Sequence, residues 1–262
     1  MERNGRKVKL APRYAHRGYH DKPNIPENSM AAFRRAVEFG LPSELDVHLL
    51  TDGNLVVFHD NDLERETGVK GRVEEYDLSN IRKLRLEGTD ELIPTFEEVL
   101  ELYEPTGLPL LIELKSVRGN YKPLARAVAK RLENYKGEYA VQSFDPRVLI
   151  EYRRLRPDVL RGQLSQNFYR ETAGLPYYQV VILTNLMLNA LAKPDFISYQ
   201  FTDRDNRVLR SLVDRKGYSE ASWTIQSADA FRSAVKAGCV AIFENIGPDE
   251  LRELIRESGR ED

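Results

Sequence analysis

Cysteine is almost missing from this chain: of 262 residues, only Cys239 is one. That excludes an internal disulfide framework and is most easily reconciled with a reducing, cytoplasmic compartment. Thiolate ligands are therefore also scarce, which weakens any zinc reading. Net charge is small, at −2, so no basic surplus recommends nucleic acid as a partner. Long apolar runs are lacking as well. No stretch reaches the roughly 20 apolar residues that cross a bilayer, and no apolar run of the secretory-signal kind follows the basic start of the chain. Low-complexity tracts, linkers and fixed-period repeats are not found, so residues 1–262 are expected to form one domain. Histidine is scarce and unevenly placed. All four, His16, His20, His48 and His59, precede residue 60.

What is present is organised around residues 44–60. Glu44 and Asp46 stand two apart, Asp52-Gly53 follows, and an apolar run ends in His59-Asp60. An Asp-Gly pair between apolar runs signals a hairpin, because both central residues of a type I′ turn need positive φ. If these two residues are the whole loop, Thr51 pairs with Asn54 and His59 falls opposite Asp46. Cross-strand partners share a face with Cβ atoms roughly 5 Å apart. Glu44, Asp46 and His59 then converge, while Leu45 and Val47 turn towards a helix layer.

The rest of the chain alternates. Tyr14 to Arg17 reads as a strand broken at Gly18; Asn28 or Ser29 caps a helix that Gly40 ends. Residues 61–93 form a polar excursion with turn signals, read as a small insertion. Thr95 and Glu98 have capping-box spacing at the start of the next helix. Strands are then expected over 108–115, 139–144, 159–164, 195–200, 218–225 and 240–245. Helices are expected over 121–134, 146–155, within 175–192, and over 205–215, 227–237 and 248–257. With the hairpin arm set aside this gives eight strands and eight helices. The expected fold is α/β, a closed (β/α)8 barrel, whose usual length is about 250 residues.

Chemistry in such barrels sits at the C-terminal ends of the strands. His16, Glu44, Asp46, Glu113 and Lys115 all fall on that rim. The three acids form an all-oxygen set suited to Mg²⁺ or Ca²⁺. His16 and His59 are candidates for base and acid, since imidazole titrates near neutral pH. Arg17 and Lys115 either meet an anionic group, most naturally a phosphate, or neutralise the acids. Arg17 shares the site with His16 only if the strand stops at Gly18. His48 reads as structural and His20 as a surface-loop residue.

Six segments carry a resemblance: His16-Arg17-Gly18, Pro26-Glu27-Asn28-Ser29, Glu44-Leu45-Asp46-Val47, Thr51-Asp52-Gly53, Val56-Val57-Phe58-His59-Asp60 and Glu113-Leu114-Lys115. In order, residue type and spacing they resemble the glycerophosphodiester phosphodiesterase family. The match continues through Ile93-Pro94-Thr95 and Gln142-Ser143-Phe144 to Trp223-Thr224. The resemblance implies a TIM barrel of the kind shared with phosphoinositide-specific phospholipases C, with a small insertion after the second strand. It also implies a divalent ion on Glu44, Asp46 and Glu113, catalysis by His16 and His59, and phosphate contacts from Arg17 and Lys115. Glu27, Gln142 and Trp223 would lie near the site. One departure is the last strand: family members often carry Ile-Thr-Asp-x-Pro where this chain has Ile242-Phe243-Glu244-Asn245-Ile246, which bears on substrate fit.

The expected activity is metal-dependent hydrolysis of a glycerophosphodiester to glycerol 3-phosphate and an alcohol. Alternatives are a lysophospholipase D or cyclising phospholipase acting on lipids, and a non-catalytic barrel that binds phosphate esters. The apolar stretch 175–192 has two readings as well: a deeply buried helix, or a wall beside the rim that contacts lipid.

Overall fold

Nine strands are found among the described residues, 9–170, 172 and 174–259, of this computed structural model. Residues 1–8, the basic start discussed above, lie outside them. The strands are β1 (Arg13–Ala15), β2 (Ser43–Leu49), β3 (Leu55–Val57), β4 (Leu110–Leu114), β5 (Tyr139–Ser143), β6 (Arg161–Ser165), β7 (Phe196–Gln200), β8 (Ser219–Ile225) and β9 (Val240–Phe243). Parallel pairing runs in the order β1-β9-β8-β7-β6-β5-β4-β2, and Ala15 pairs with Ser43 to close the ring. The fold is a TIM barrel of eight parallel strands, as the alternation implied. β3 is extra, lying antiparallel against β2.

The helices α1 (Met30–Glu38), α4 (Phe96–Tyr103), α5 (Tyr121–Arg131), α6 (Pro146–Leu155), α7 (Tyr177–Thr184), α8 (Asn189–Ala192), α9 (Arg207–Arg210), α10 (Ala228–Lys236) and α11 (Pro248–Ser258) cover the ring, with short α2 (Glu64–Thr67) and α3 (Leu78–Ile81) in the insertion. Ser29 caps α1 by accepting from the Ala32 amide at 3.1 Å, and Thr95 with Glu98 forms the expected capping box. Each such cap satisfies amides that the first helical turn leaves open.

Alternation along the strands separates two cores. Leu45, Val47, Leu110 and Ile112 point outward and pack with Phe33 and Val99 beneath the helices. Tyr14, Leu111, Ala140, Phe196, Ala221 and Ile242 point inward and plug the lower barrel. Gly162 is needed in that plug, because a Cβ there would fall 2.1 Å from the Phe196 ring. The plug leaves only the upper end of the barrel free for polar residues.

The hairpin differs from expectation by one residue. Asn54 accepts from the Leu50 amide and the Gly53 amide donates to Leu50, so the loop holds three residues, Thr51, Asp52 and Gly53. Gly53 takes φ +85°, the left-handed position of a three-residue loop. Val47 consequently pairs with Val57, and the Phe58 amide, not that of His59, donates to Asp46. A one-residue slip would turn His59 to the other face in a regular strand. β3 ends at Val57, however, and the irregular backbone beyond it brings His59 back to the barrel mouth.

Insertion residues Leu63, Val73, Ile81, Leu86 and Ile93 bury against Leu50, Val56 and Phe58 of the hairpin. The 175–192 stretch is two short helices instead of one deeply buried one: Tyr177 is 75% exposed and Leu191 61%. No helix among the described residues is long and apolar enough to cross a membrane.

Candidate active site

Strand register assembles the centre of the site. Asp46 pairs with Glu113 and Glu113 with Gln142, so three inward side chains stand in one row on β2, β4 and β5. Glu44 lies one inward position below Asp46 and accepts from Gln142 Nε2 at 3.3 Å. Carboxylate oxygens of Glu44, Asp46 and Glu113 all come within 4.8 Å of one another, and all three residues are buried. Lys115 Nζ lies 3.0 Å from Glu113 and 3.4 Å from Asp46, while Arg17 Nε lies 3.6 Å from Asp46.

Three clustered carboxylates thus face two cationic side chains, and the imbalance appears in their acidities. Burial, then the charges of Asp46 and Glu113, push Glu44 well above the usual carboxylate range. Burial also pushes Glu113 up to about 7, against the pull of Lys115. Asp46 goes the other way: Lys115, His59 and Arg17 outweigh its burial and hold it well below its ordinary value. Oxygen-only donors carrying surplus negative charge fit a hard divalent cation.

Local backbone places the next residues. β1 ends at Ala15, and Arg17 and Gly18 both take positive φ, +55° and +78°. Gly18 is required there, since a Cβ would approach Ala32 Cβ to 2.9 Å. This turn lets His16 and Arg17 serve the same cleft, as the break at Gly18 implied. The Arg17 amide donates to Glu44 at 3.2 Å, and its guanidinium to Glu27 at 2.6 Å. Asn28 does not cap α1; at φ +53° it donates to Asp46 at 2.9 Å.

His16, Arg17, Glu44, His59, Glu113, Gln142 and Trp223 line one narrow cleft, with Phe144, Leu164 and Ile242 as its apolar side. The Trp223 ring meets Phe144 edge-on at 5.6 Å, and Phe144 meets Phe168 at 6.1 Å. Of the residues picked from sequence, Lys115 pairs with Asp46 and Glu113, and neither Lys115 nor Asp46 lines the cleft itself; Glu27 stands apart. It is buried behind Arg17, bonded also to Lys22 at 2.6 Å and Arg65 at 2.8 Å. Those three cations outweigh its burial and lower its carboxyl to about 2.

A folded value below the unfolded 4.5 means Glu27 contributes stability above pH 4.5 and loses it as pH falls towards 2. Thermal melts between pH 5 and 2 are expected to fall less steeply for Glu27→Gln than for the wild type. Parallel curves would remove this role.

Each cleft histidine has a carboxylate behind it. His59 Nδ1 lies 2.6 Å from Asp60, which Arg65 of the insertion grips through Nε at 2.5 Å and its terminal nitrogen at 3.0 Å. Burial and the charge of Lys115 lower His59 to about 4. His16 Nδ1 lies 2.5 Å from Glu244. Burial and Arg17 lower His16 as well, with Glu244 opposing them. His48 is fully buried, with Nδ1 2.5 Å from Glu74 and Nε2 3.5 Å from the His59 carbonyl oxygen. His20 is not a surface residue: it is 8% exposed, with Nε2 3.5 Å from Glu244. Asp60, Arg65, Glu74 and Glu244 were missed as supporting residues. Only Asp60 had a local signal, its place next to His59.

A TIM barrel with a buried carboxylate triad, two carboxylate-backed histidines and two cations at its C-terminal mouth defines a phosphodiesterase-type enzyme. The chain belongs to the glycerophosphoryl diester phosphodiesterase family, whose model matches residues 16–246. It is 30% identical over 259 residues to a glycerophosphodiester phosphodiesterase of Caldanaerobacter subterraneus subsp. tengcongensis, covering 94% of this chain and 98% of that one. It is 35% identical over 220 residues to another of Bacillus altitudinis, covering 76% and 89%. In fold it is similar to an Oleispira antarctica phosphodiesterase solved in complex with the product sn-glycerol-3-phosphate. The TM-score is 0.77 at 24% identity, covering 93% of this chain and 96% of that one.

Proposed function

We propose that the protein hydrolyses a glycerol phosphodiester to glycerol 3-phosphate and an alcohol, using a divalent cation, Mg²⁺ or Ca²⁺, held by Glu44, Asp46 and Glu113. The observation that carries this reading is the shared cleft: the carboxylates Glu44 and Glu113, the cation Arg17 and both His16 and His59 open onto one mouth. When bound, the cation neutralises phosphate oxygens as charge grows in the transition state. Arg17 and Lys115 hold the same phosphate from the side chains already bonded to the acids. His16 removes a proton from the nucleophile and His59 protonates the departing alkoxide; attack by water gives glycerol 3-phosphate directly, whereas attack by the neighbouring glycerol hydroxyl gives a cyclic phosphate that a water then opens to the same product. Gln142 orients Glu44, Glu27 steadies Arg17, and the Trp223 indole packs on the alcohol. Residues 61–93 act as an insertion within one domain, supporting the hairpin that carries His59. Cys239, buried and free, suits a cytoplasmic setting.

A second substrate class, lysophospholipids, is favoured by one observation. The aromatic row Trp223, Phe144, Phe168 leads from the cleft to the loop where Tyr169 meets Tyr177 at 6.3 Å, both exposed. Exposed tyrosines of this kind suit an interface with an apolar and a wet side. An acyl chain would lie along that row.

The test is turnover of choline, ethanolamine and inositol glycerophosphodiesters and of a lysophospholipid, with Mg²⁺ or Ca²⁺. Products are read by phosphorus NMR. Glycerol 3-phosphate is expected from the soluble diesters. A cyclic phosphate as end product would replace hydrolysis by the cyclising reaction. Binding without turnover under every condition would leave a non-catalytic barrel. Exclusive turnover of soluble diesters would end the lipid reading.

A further inference from the structure

Glu244 lies 228 residues from His16 and at the opposite end of the sequence, yet its Oε2 meets His16 Nδ1 at 2.5 Å. The closure of β1 on β9 explains the meeting: Ala15 pairs with Phe243, and the His16 amide donates to the Phe243 carbonyl at 2.8 Å. His16 and Glu244 are each the next residue after that last strand pair. We infer that Glu244 is a positioning residue for His16: it fixes which ring nitrogen carries the proton and which faces the substrate.

The carboxylate can only accept, because its short contact with His16, with the His20 ring and Gln226 close by, outweighs its burial and keeps it ionised. Nδ1 of His16 therefore donates, and the lone pair on Nε2 is left for the cleft. Glu244 is itself held on its other oxygen by Gln226 Nε2 at 2.7 Å, with the His20 ring 3.5 Å from Oε2. The contrast with the second histidine is electrostatic. Asp60 shares its charge with the Arg65 guanidinium, whereas no Lys or Arg is bonded to Glu244 among the contacts of the described residues. An undiluted carboxylate stabilises the imidazolium that forms when His16 accepts a proton. The stronger base is therefore His16. This last step rests on the proposed hydrolysis; the tautomer assignment does not.

The test uses the full-length protein with its divalent ion, glycerophosphocholine as substrate, and the variants Glu244→Gln and Glu244→Asp. An amide in place of the carboxylate keeps the shape but favours the wrong tautomer. The expected loss in kcat for Glu244→Gln is about 10²–10⁴-fold, with KM within about threefold of wild type. Glu244→Asp, which keeps the charge, is expected to recover part of that loss. A melting curve distinguishes this from a folding defect. Wild-type kcat in Glu244→Gln, or a loss confined to KM, overturns the inference. If Glu244→Gln does not fold, proton–nitrogen NMR of the wild-type histidines decides. Protonation of His16 at Nδ1, with a far-downfield resonance, supports the pair, and protonation at Nε2 overturns it. A wild-type protein that turns over no diester would refute the proposed hydrolysis, while the NMR arm would still judge the pairing.

Discussion

His59→Ala and His16→Ala are each expected to lower kcat/KM towards a glycerophosphodiester by about 10²–10⁴-fold, the range for removing a positioned acid or base. Both rings are poised at the cleft with Nδ1 engaged by a carboxylate, Asp60 at 2.6 Å and Glu244 at 2.5 Å. Each therefore offers the substrate one nitrogen only. In the protein without ligands both are held below their ordinary value by burial and by the neighbouring cations Lys115 and Arg17. A bound phosphodiester brings negative charge beside them and raises whichever ring faces the leaving oxygen. Stability should change little, because both rings sit at the mouth and not in either apolar core. The double variant is expected to lose little more than the worse single one, since residues that act as a unit are not additive. Steady-state kinetics with matched melting curves check all three proteins. Full activity in either single variant would remove that histidine from the chemistry.

The second large effect concerns the cation. Excess chelator is expected to reduce turnover to background, and added Mg²⁺ or Ca²⁺ to restore it. The same ion should raise thermal stability, by about 2.7 kcal/mol when present at about 100 times its Kd. For a chain of this size that is roughly 5–10 °C. The physical reason is the surplus of negative charge among Glu44, Asp46 and Glu113, which burial makes costly. Because burial lifts Glu113 to about 7, the ion competes with a proton there. Apparent affinity should rise as pH increases from 6 to 8 through that value, and binding should release protons. Glu44→Gln separates the two contributions. Without added ion it should melt no lower than wild type, because burial and the charges of Asp46 and Glu113 already disfavour an ionised carboxylate at that position. With ion its melting temperature should not move. Full turnover in excess chelator would end the metal reading.

Much of the rim was legible because it depends on local rules. Alternation along residues 43–49 puts Glu44 and Asp46 on one face whatever the fold, and Gly18 marks the turn that brings Arg17 beside His16. The regular succession of strands and helices sufficed for the barrel. The hairpin register was not legible: Asp52-Gly53 suits a two-residue turn, but the chain uses a three-residue loop with Gly53 at its left-handed position. His59 reaches the cleft because the strand stops at Val57, where the chain pairs through its backbone with Pro94 and Thr95, residues far from it in sequence.

By itself, then, the sequence determined the residue types of the site, their faces, and the barrel that gathers strand ends on one rim, since these follow from periodicities of 2 and 3.6 and from local turn chemistry. Tertiary structure alone decided the supports. Glu244 meets His16 only because the ring closes β1 on β9, and Arg65 and Glu74 reach Asp60 and His48 only because the insertion buries its apolar residues on the hairpin. Glu244 and Glu74 lie 228 and 26 residues from their partners, and Arg65, five residues from Asp60, stands at no helical or strand spacing from it. They are set by the register of strands and the packing of cores, which exist only once the whole barrel is closed.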